Sequence, residues 1–393
     1  MMPYLSRRSA LLGLASAVAL GRVSLALADA PTDKRLVVVI LRGALDGLSA
    51  VVPYGDAALA GLRGALVPPA PGQDGGMLDL GGFYGLHPTL ANLHAMYQAG
   101  EALAVHAVAG PYRVRSHFEA QDYLESGADH RMTSGWLNRA IEALPRPATD
   151  GEPLAIGVSV PLLLRGPAAV ASWAPHGTAA LDADLYARVA ALNQGDRLLG
   201  PAIAEGLRER GFSATVMSGD EPPQNRYAFP ALAKAAGEML RAENGPRIAA
   251  LEIGGWDTHT AQMQRLGGVL RQLDAGLAAL KAGLGEAWRQ TAVLTMTEFG
   301  RTVRMNGTGG TDHGTGAVAF VLGGAVAGGR VVAEWPGLGS GRLFEDRDLQ
   351  PTCDLRSVAK GLLTQHLGLG PSALATVFPD SSAVGPIPRL VVT

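Results

Sequence analysis

A chain of 393 residues with 47% hydrophobic side chains is long enough for one large α/β domain or two ordinary ones, and too apolar for disorder. A formal net charge of −2, only 17% charged residues and no long Lys/Arg run argue against nucleic acid as the main partner. The single cysteine, Cys353, excludes an internal disulfide and a cysteine zinc cluster.

The first segment reads as an address. Arg7 and Arg8 stand ahead of a modest apolar run in SRRSALLGLASAVAL, and ALA at 26–28 fits a small-residue cleavage site. Paired arginines before a weakly hydrophobic stretch point to a twin-arginine export signal over residues 1–28. The mature chain is then expected to begin near Asp29, periplasmic or extracellular, with the translocation machinery as one partner. That route carries folded proteins, often with a cofactor already held. A short N-terminal anchor helix is the other reading. Nothing later in the chain is long and apolar enough to predict a membrane span.

KRLVVVILRGALDG (34–47) is a β-branched run ending in a glycine turn, which predicts a buried parallel strand. HPTLANLHAMYQAG (87–100) predicts a helix stopped at Gly100, EALAVHAVAG (101–110) a strand, and SHFEAQDYLESG (116–127) another helix. The glycine-rich stretch between them, at 64–85, reads as a surface loop or a lid. EPLAIGVSVPLLLRG (152–166) has strand character broken by Pro161, and 180–245 reads as mostly helical with a polar break at 218–225. PRIAALEIGGWDTH (246–259) predicts a buried strand and 260–288 a long amphipathic helix. Strands follow at 291–301 and 317–326, then a helix at 354–369 and a Pro-rich tail. This order predicts a three-layer α/β fold, a mostly parallel sheet with helices on both faces, as a single domain over 29–393.

Ligands of open parallel sheets gather at the carboxyl ends of the strands. Asp46, Ser116 with His117, Asp257 with His259, Glu298 with Arg301, and Asp312 with His313 all follow expected strands. Each has a plainer reading. Asp46 before Gly47 suits a turn, and Ser116 with Glu119 spells a capping box. Asp257 or Thr258 suits a helix cap, and Glu298 with Arg301 a salt bridge. Ser116 at a helix start also lies where an anion binds, with Arg113 and Arg115 just upstream or simply solvated. Carboxylates together with imidazoles suit zinc or manganese. His87, His94, His106, His130, His176 and His366 read as surface or packing histidines.

RGALDGLSAVVPYGD, RSHFEAQDYLESG, GWLNR, GGWDTHTAQ, TEFGRTVRMNGTGGTDHG and GGRVVAEWPGL together resemble the bacterial exported family known as domain of unknown function 1501. The resemblance runs through almost the whole mature chain and implies the fold of the alkaline phosphatase and sulfatase clan, with metals at the strand ends. It makes Asp46 the acidic ligand after the first strand, Ser116 the nucleophile, and Asp257, His259, Glu298 and His313 further ligands, with Asp312 a ligand or an orienting group. Phe299 stands where the clan has a histidine, which leaves one metal or two open. The aldehyde-forming C/S-x-P-x-R pattern of sulfatases is met by neither CDLRS nor SHFEA.

The expected function is an exported metal-dependent hydrolase of phosphate-type esters. Ser116 attacks, metal-bound water completes the cycle, and Arg115 or Arg301 holds a small anionic substrate. The alternatives are a non-catalytic exported binding or assembly protein that keeps the fold, and a metal-free esterase. The absence of a G-x-S-x-G elbow around Ser116 counts against the esterase.

Overall fold

Side chains of the strand RLVVVILR (Arg35–Arg42) alternate between two apolar layers. Val37, Val39 and Leu41 enter one cluster, and Leu36, Val38 and Ile40 the other. A strand covered on both faces is a near-continuous hydrophobic run, which is why this stretch stood out in the sequence. The computed structural model describes residues 24–28, 32–144, 160–168, 170–173, 229–243 and 245–392.

In chain order the strands are β1 (Ser24–Ala28), β2 (Arg35–Arg42), β3 (Val51–Val52), β4 (Leu78–Asp79), β5 (Gly85–Leu86), β6 (Ala102–Ala109) and β7 (Ala171–Trp173). Then come β8 (Ile248–Gly254), β9 (Thr291–Met296), β10 (Ala317–Leu322), β11 (Arg330–Val332) and β12 (Cys353–Asp354). Nine form one sheet in the order β11-β6-β10-β9-β2-β8-β1-β7, with β12 also on β6. β2 is parallel to β8 and β9, and β6 is parallel to β11 and β12. β10 and β1 run against their neighbours, so the sheet is mostly parallel.

Helices cover both faces. Ala91–Gln98, Phe229–Arg241 and Gln262–Leu284 pack on one cluster, and Trp136–Ala143, Leu355–Gln365 and Pro371–Val377 on the other. Gly100, at φ +74°, and Gly127, at φ +68°, stand just past the helices that the sequence ended there. The helix expected over 260–288 occupies Gln262–Leu284 and finishes as a 3-10 turn, Gly285–Gln290. The stretch at 64–85 is not a plain loop. It holds a 3-10 turn, Gly64–Leu66, and a small antiparallel sheet in which β5 lies between β3 and β4.

Most of the strand expected within 152–166 lies outside the described residues, although Leu162–Leu164 forms a 3-10 turn. The residues before 229 in the expected helical region, His176, Arg7 and Arg8 also lie outside them. Ser24–Ala28, assigned to the end of the export signal, pairs as β1 with β8 and β7. Among the described residues no helix is long and apolar enough to cross a membrane.

Candidate metal centre

At the carboxyl ends of β6, β8 and β9, two imidazoles and a carboxylate turn toward one point, and a third imidazole, His259, meets two of them from the side. His117 opens the helix His117–Ser126 that follows β6, Asp257 and His259 follow β8, and His313 lies in the loop between β9 and β10. The Nε2 of His313 is 3.0 Å from Nε2 of His117 and 3.0 Å from Nε2 of His259. Asp257 Oδ1 lies 3.0 Å from His259 Nε2 and 3.2 Å from His313 Nε2, while its Oδ2 is 3.7 Å from His117 Nε2. Ligand atoms of His117, Asp257 and His313 all fall within 4.8 Å of one another.

The other ring nitrogen of each histidine shows why these atoms converge. His117 Nδ1 meets Glu298 Oε1 at 2.8 Å, His259 Nδ1 meets Asp312 Oδ1 at 3.2 Å, and His313 Nδ1 meets the Arg115 carbonyl at 3.1 Å. Carboxylates and carbonyls only accept, so each Nδ1 must carry the hydrogen. In the neutral rings every Nε2 is then a bare lone pair. Without an ion, a protonated His117 and the Arg301 guanidinium on Asp257 supply the positive charge, but one Nε2 hydrogen cannot serve both the His117–His313 and the His259–His313 contacts. Donors around an ion with bonds of 2.0–2.1 Å are about 3.3 Å apart in a tetrahedron and about 3.0 Å apart in an octahedron, close to the spacings around His313, while His117 and Asp257 stand wider at 3.7 Å. The residues therefore fit a divalent ion, and the acceptors behind them match the outer layer that metal-bound histidines generally have.

Electrostatics follow the geometry. Burial opposes the charged form of His117, but hydrogen bonds with Asp257 and Glu298 raise its pKa to about 9. Burial likewise works against ionisation of Asp257, yet His117, His313 and Arg301 hold its carboxyl well below the usual range. Glu298 is also buried and held low, by His117, its own backbone N–H and Gln121. Hydrogen bonding from Asn306, then from His259, lowers Asp312.

Several expected roles change. Glu298 does not reach the point of convergence; its Oε1 accepts from His117, from the Gly43 N–H at 2.8 Å and from Gln121 Nε2 at 3.1 Å. Asp312 orients His259 rather than His313. Asp46 is buried in an ion pair with Arg63 and accepts from Ser49 Oγ at 2.8 Å and from Gln262, so it is committed away from the cluster.

Arg301 pairs not with Glu298 but with Asp257, Nη1 to Oδ1 at 2.6 Å, and grips the Thr311 carbonyl at 2.6 Å. Arg115 is held by Asp348 at 2.8 Å and Glu345 at 2.6 Å, so what it gives the centre is its carbonyl. Ser116 makes no cap hydrogen bond, and Glu119 takes the Tyr112 hydroxyl at 2.5 Å instead of closing a capping box. Phe299 is buried against both His117 and His313, with ring centroids 4.8 and 5.0 Å away, and walls the centre.

His117 had no assigned role in the sequence. Its adjacency to Ser116 after a strand was the only signal. The glycines of GGTDHGTG are explained by close approach: a Cβ on Gly310 would meet the His259 carbonyl oxygen at 2.3 Å, and one on Gly314 the Arg301 backbone at 2.3 Å.

The model of the family described as protein of unknown function (DUF1501) matches residues 95–378. The chain belongs to that family. No curated protein matches it. Every side chain of the centre falls inside the DUF1501 stretch, whereas Asp46 and Arg63 precede it.

Proposed function

We propose that this DUF1501 protein is an exported metal-dependent hydrolase of phosphate-type esters, on an alkaline-phosphatase-like sheet. The observation that carries the reading is the fixed tautomer of three histidines whose Nε2 atoms meet Asp257. Zinc or manganese suits imidazoles mixed with a carboxylate. Such an ion supplies Lewis acidity and neutralises charge on the ester oxygens.

The remaining work falls to the chain. Glu298, Asp312 and the Arg115 carbonyl hold the rings, and Arg301 holds Asp257. Phe299 excludes water from one side. Ser116 stands at the N-terminus of His117–Ser126, where backbone N–H groups favour developing negative charge. Its Oγ bonds to phosphorus, the ester P–O bond breaks and the alcohol leaves with the serine proton; water then splits the Ser116–phosphoryl bond. Arg115 and Arg301 are committed to carboxylates, so this reading gives the anion to the half-exposed Arg347, which donates to the His313 carbonyl at 2.6 Å and lies 3.7 Å from Asp348.

Metal analysis of protein exported in its native host, followed by turnover of phosphate monoesters and diesters, tests the reading. One or two equivalents of zinc or manganese, lost in His313→Ala, together with ester cleavage support it. No metal sinks it, and full turnover by Ser116→Ala removes the covalent step. A second reading, an exported binding protein bearing a structural metal, is favoured by the commitment of both expected anion-holding arginines to carboxylates. Bound metal without cleavage of any ester selects it.

A further inference from the structure

A cavity of about 480 Å³ opens beside the first turns of the helix Gln262–Leu284, within the size range of small-molecule sites. Leu66, Val67, Pro68 and Pro69 give it one apolar wall, and Met263 and Leu266 another. Its floor includes Ser49 and Gln262, both buried and both already bound to Asp46.

Three features of the cavity favour an anion. None of its lining residues is acidic. Arg271 reaches it with no hydrogen-bonding or ion-pair partner among the described residues. His87 Nδ1 meets Thr89 Oγ1 at 2.8 Å and the Thr89 N–H at 3.3 Å, and a neutral ring that accepts both carries its hydrogen on Nε2; burial and the neighbouring Arg271 push its pKa down to about 4, which keeps the ring neutral. Space is left between these two groups by Gly267. A Cβ built there would find Arg271 Nη1 at 3.7 Å and His87 Cε1 at 3.9 Å, which is ordinary contact.

We propose that this cavity binds a small amphiphilic anion, its acid group between Arg271 and His87 and its apolar body against Leu66–Pro69 and Met263. The geometry involves none of the residues of the metal centre, so the site does not rest on the hydrolase reading.

Two dyes of similar shape separate the contributions: the anionic 8-anilinonaphthalene-1-sulfonate and the neutral N-phenyl-1-naphthylamine, titrated by fluorescence into the full chain. Gly267→Leu, which fills the space, is expected to weaken both dyes about tenfold or more, with Gly267→Ala close to wild type. Arg271→Gln, an exposed change that leaves the core alone, is expected to weaken the anionic dye about tenfold and the neutral one less than about twofold. Decanoate and decyl phosphate as competitors then distinguish a carboxylate site from a phosphate-ester site. Unchanged binding in natively folded Gly267→Leu overturns the proposal. So does equal loss of both dyes in Arg271→Gln, or displacement by neither competitor.

Discussion

Replacing Glu298 by glutamine separates the orientation of His117 from its charge. In Glu298→Gln the amide oxygen inherits the contacts of Oε1 with His117 Nδ1 at 2.8 Å, Gly43 N at 2.8 Å and Gln121 Nε2 at 3.1 Å. The new NH₂ faces Thr297 Oγ1, now 3.2 Å from Oε2, whose own hydrogen can go to the Leu41 carbonyl at 2.9 Å. Every group therefore keeps a hydrogen-bond partner, but His117 loses the counter-charge that favours its protonated form, so the ion-free variant is expected to fold and to melt below wild type.

The metal is affected more. A charge-assisted hydrogen bond is worth about 1.5–3 kcal/mol against about 0.5–1.5 for a neutral one. Losing that difference makes His117 a weaker donor by about 1–1.5 kcal/mol, or about tenfold in metal affinity, at the lower edge of the usual range for such acceptors. Competition for Zn²⁺ or Mn²⁺ against a chromophoric chelator measures it, with His117→Ala as the limiting case. An affinity within about twofold of wild type, in a natively folded variant, refutes the assignment of His117 as ligand with Glu298 behind it.

Three further outcomes are expected. Asp46→Asn should retain full metal content by mass spectrometry, whereas Arg63→Met strands a buried carboxylate and should cost about 3–5 kcal/mol in denaturant unfolding. His106, fully buried with Nε2 on the Val51 carbonyl at 2.8 Å and Nδ1 accepting from Ala107 N at 2.8 Å, has its pKa pushed by burial from 6.5 down to about 4. Its folded value is depressed, so the stability it contributes is present above pH 6.5 and drains away as the pH falls toward 4, by about 3 kcal/mol; thermal melts of wild type against His106→Phe should show a flatter acid limb in the variant. For export, Arg7→Lys with Arg8→Lys should hold the protein in the cytoplasm, and the mass of wild-type exported protein should place its first residue near Asp29, which takes β1 out of the exported sheet.

What the sequence could show was whatever lies within one element. β2, β6 and β9 were legible because residues such as Val37 to Ile40 are apolar without interruption, and the helix stops were legible in Gly100 and Gly127. The placement of polar residues after strands was legible for the same reason, and it brought attention to Asp257, His259 and His313. Pairing across elements was not. Glu298 and Arg301 sit a helical turn apart in sequence, which suggested a local bridge, yet their partners are His117 and Asp257 on other strands' loops. Asp46 looked like a ligand because its counter-charge, Arg63, comes from the short helix Leu59–Arg63, which the periodicity did not reveal. The capping-box pattern at Ser116 failed because Tyr112 competes for Glu119.

The paired aspartate and histidine of GGTDHGTG divide their work. His313 turns its Nε2 to the centre while its Nδ1 is fixed from β6's side by Arg115, and Asp312 reaches the other way to fix His259. Thr311, just before them, is held through its carbonyl by Arg301, which also holds Asp257; its hydroxyl donates to Gln262 Oε1 at 2.6 Å. The loop thus ties the segment after β8, the start of the helix Gln262–Leu284 and the segment after β9 into one assembly. Adjacent residues can serve two different imidazoles only if the backbone between those segments comes very close, and Gly310 and Gly314 permit that where a Cβ would collide. A glycine-rich loop would ordinarily be the least ordered part of a site. Here the hydrogen bonds of Thr311, Asp312 and His313 on separate partners make it the part that sets the spacing between the His259 and His313 rings.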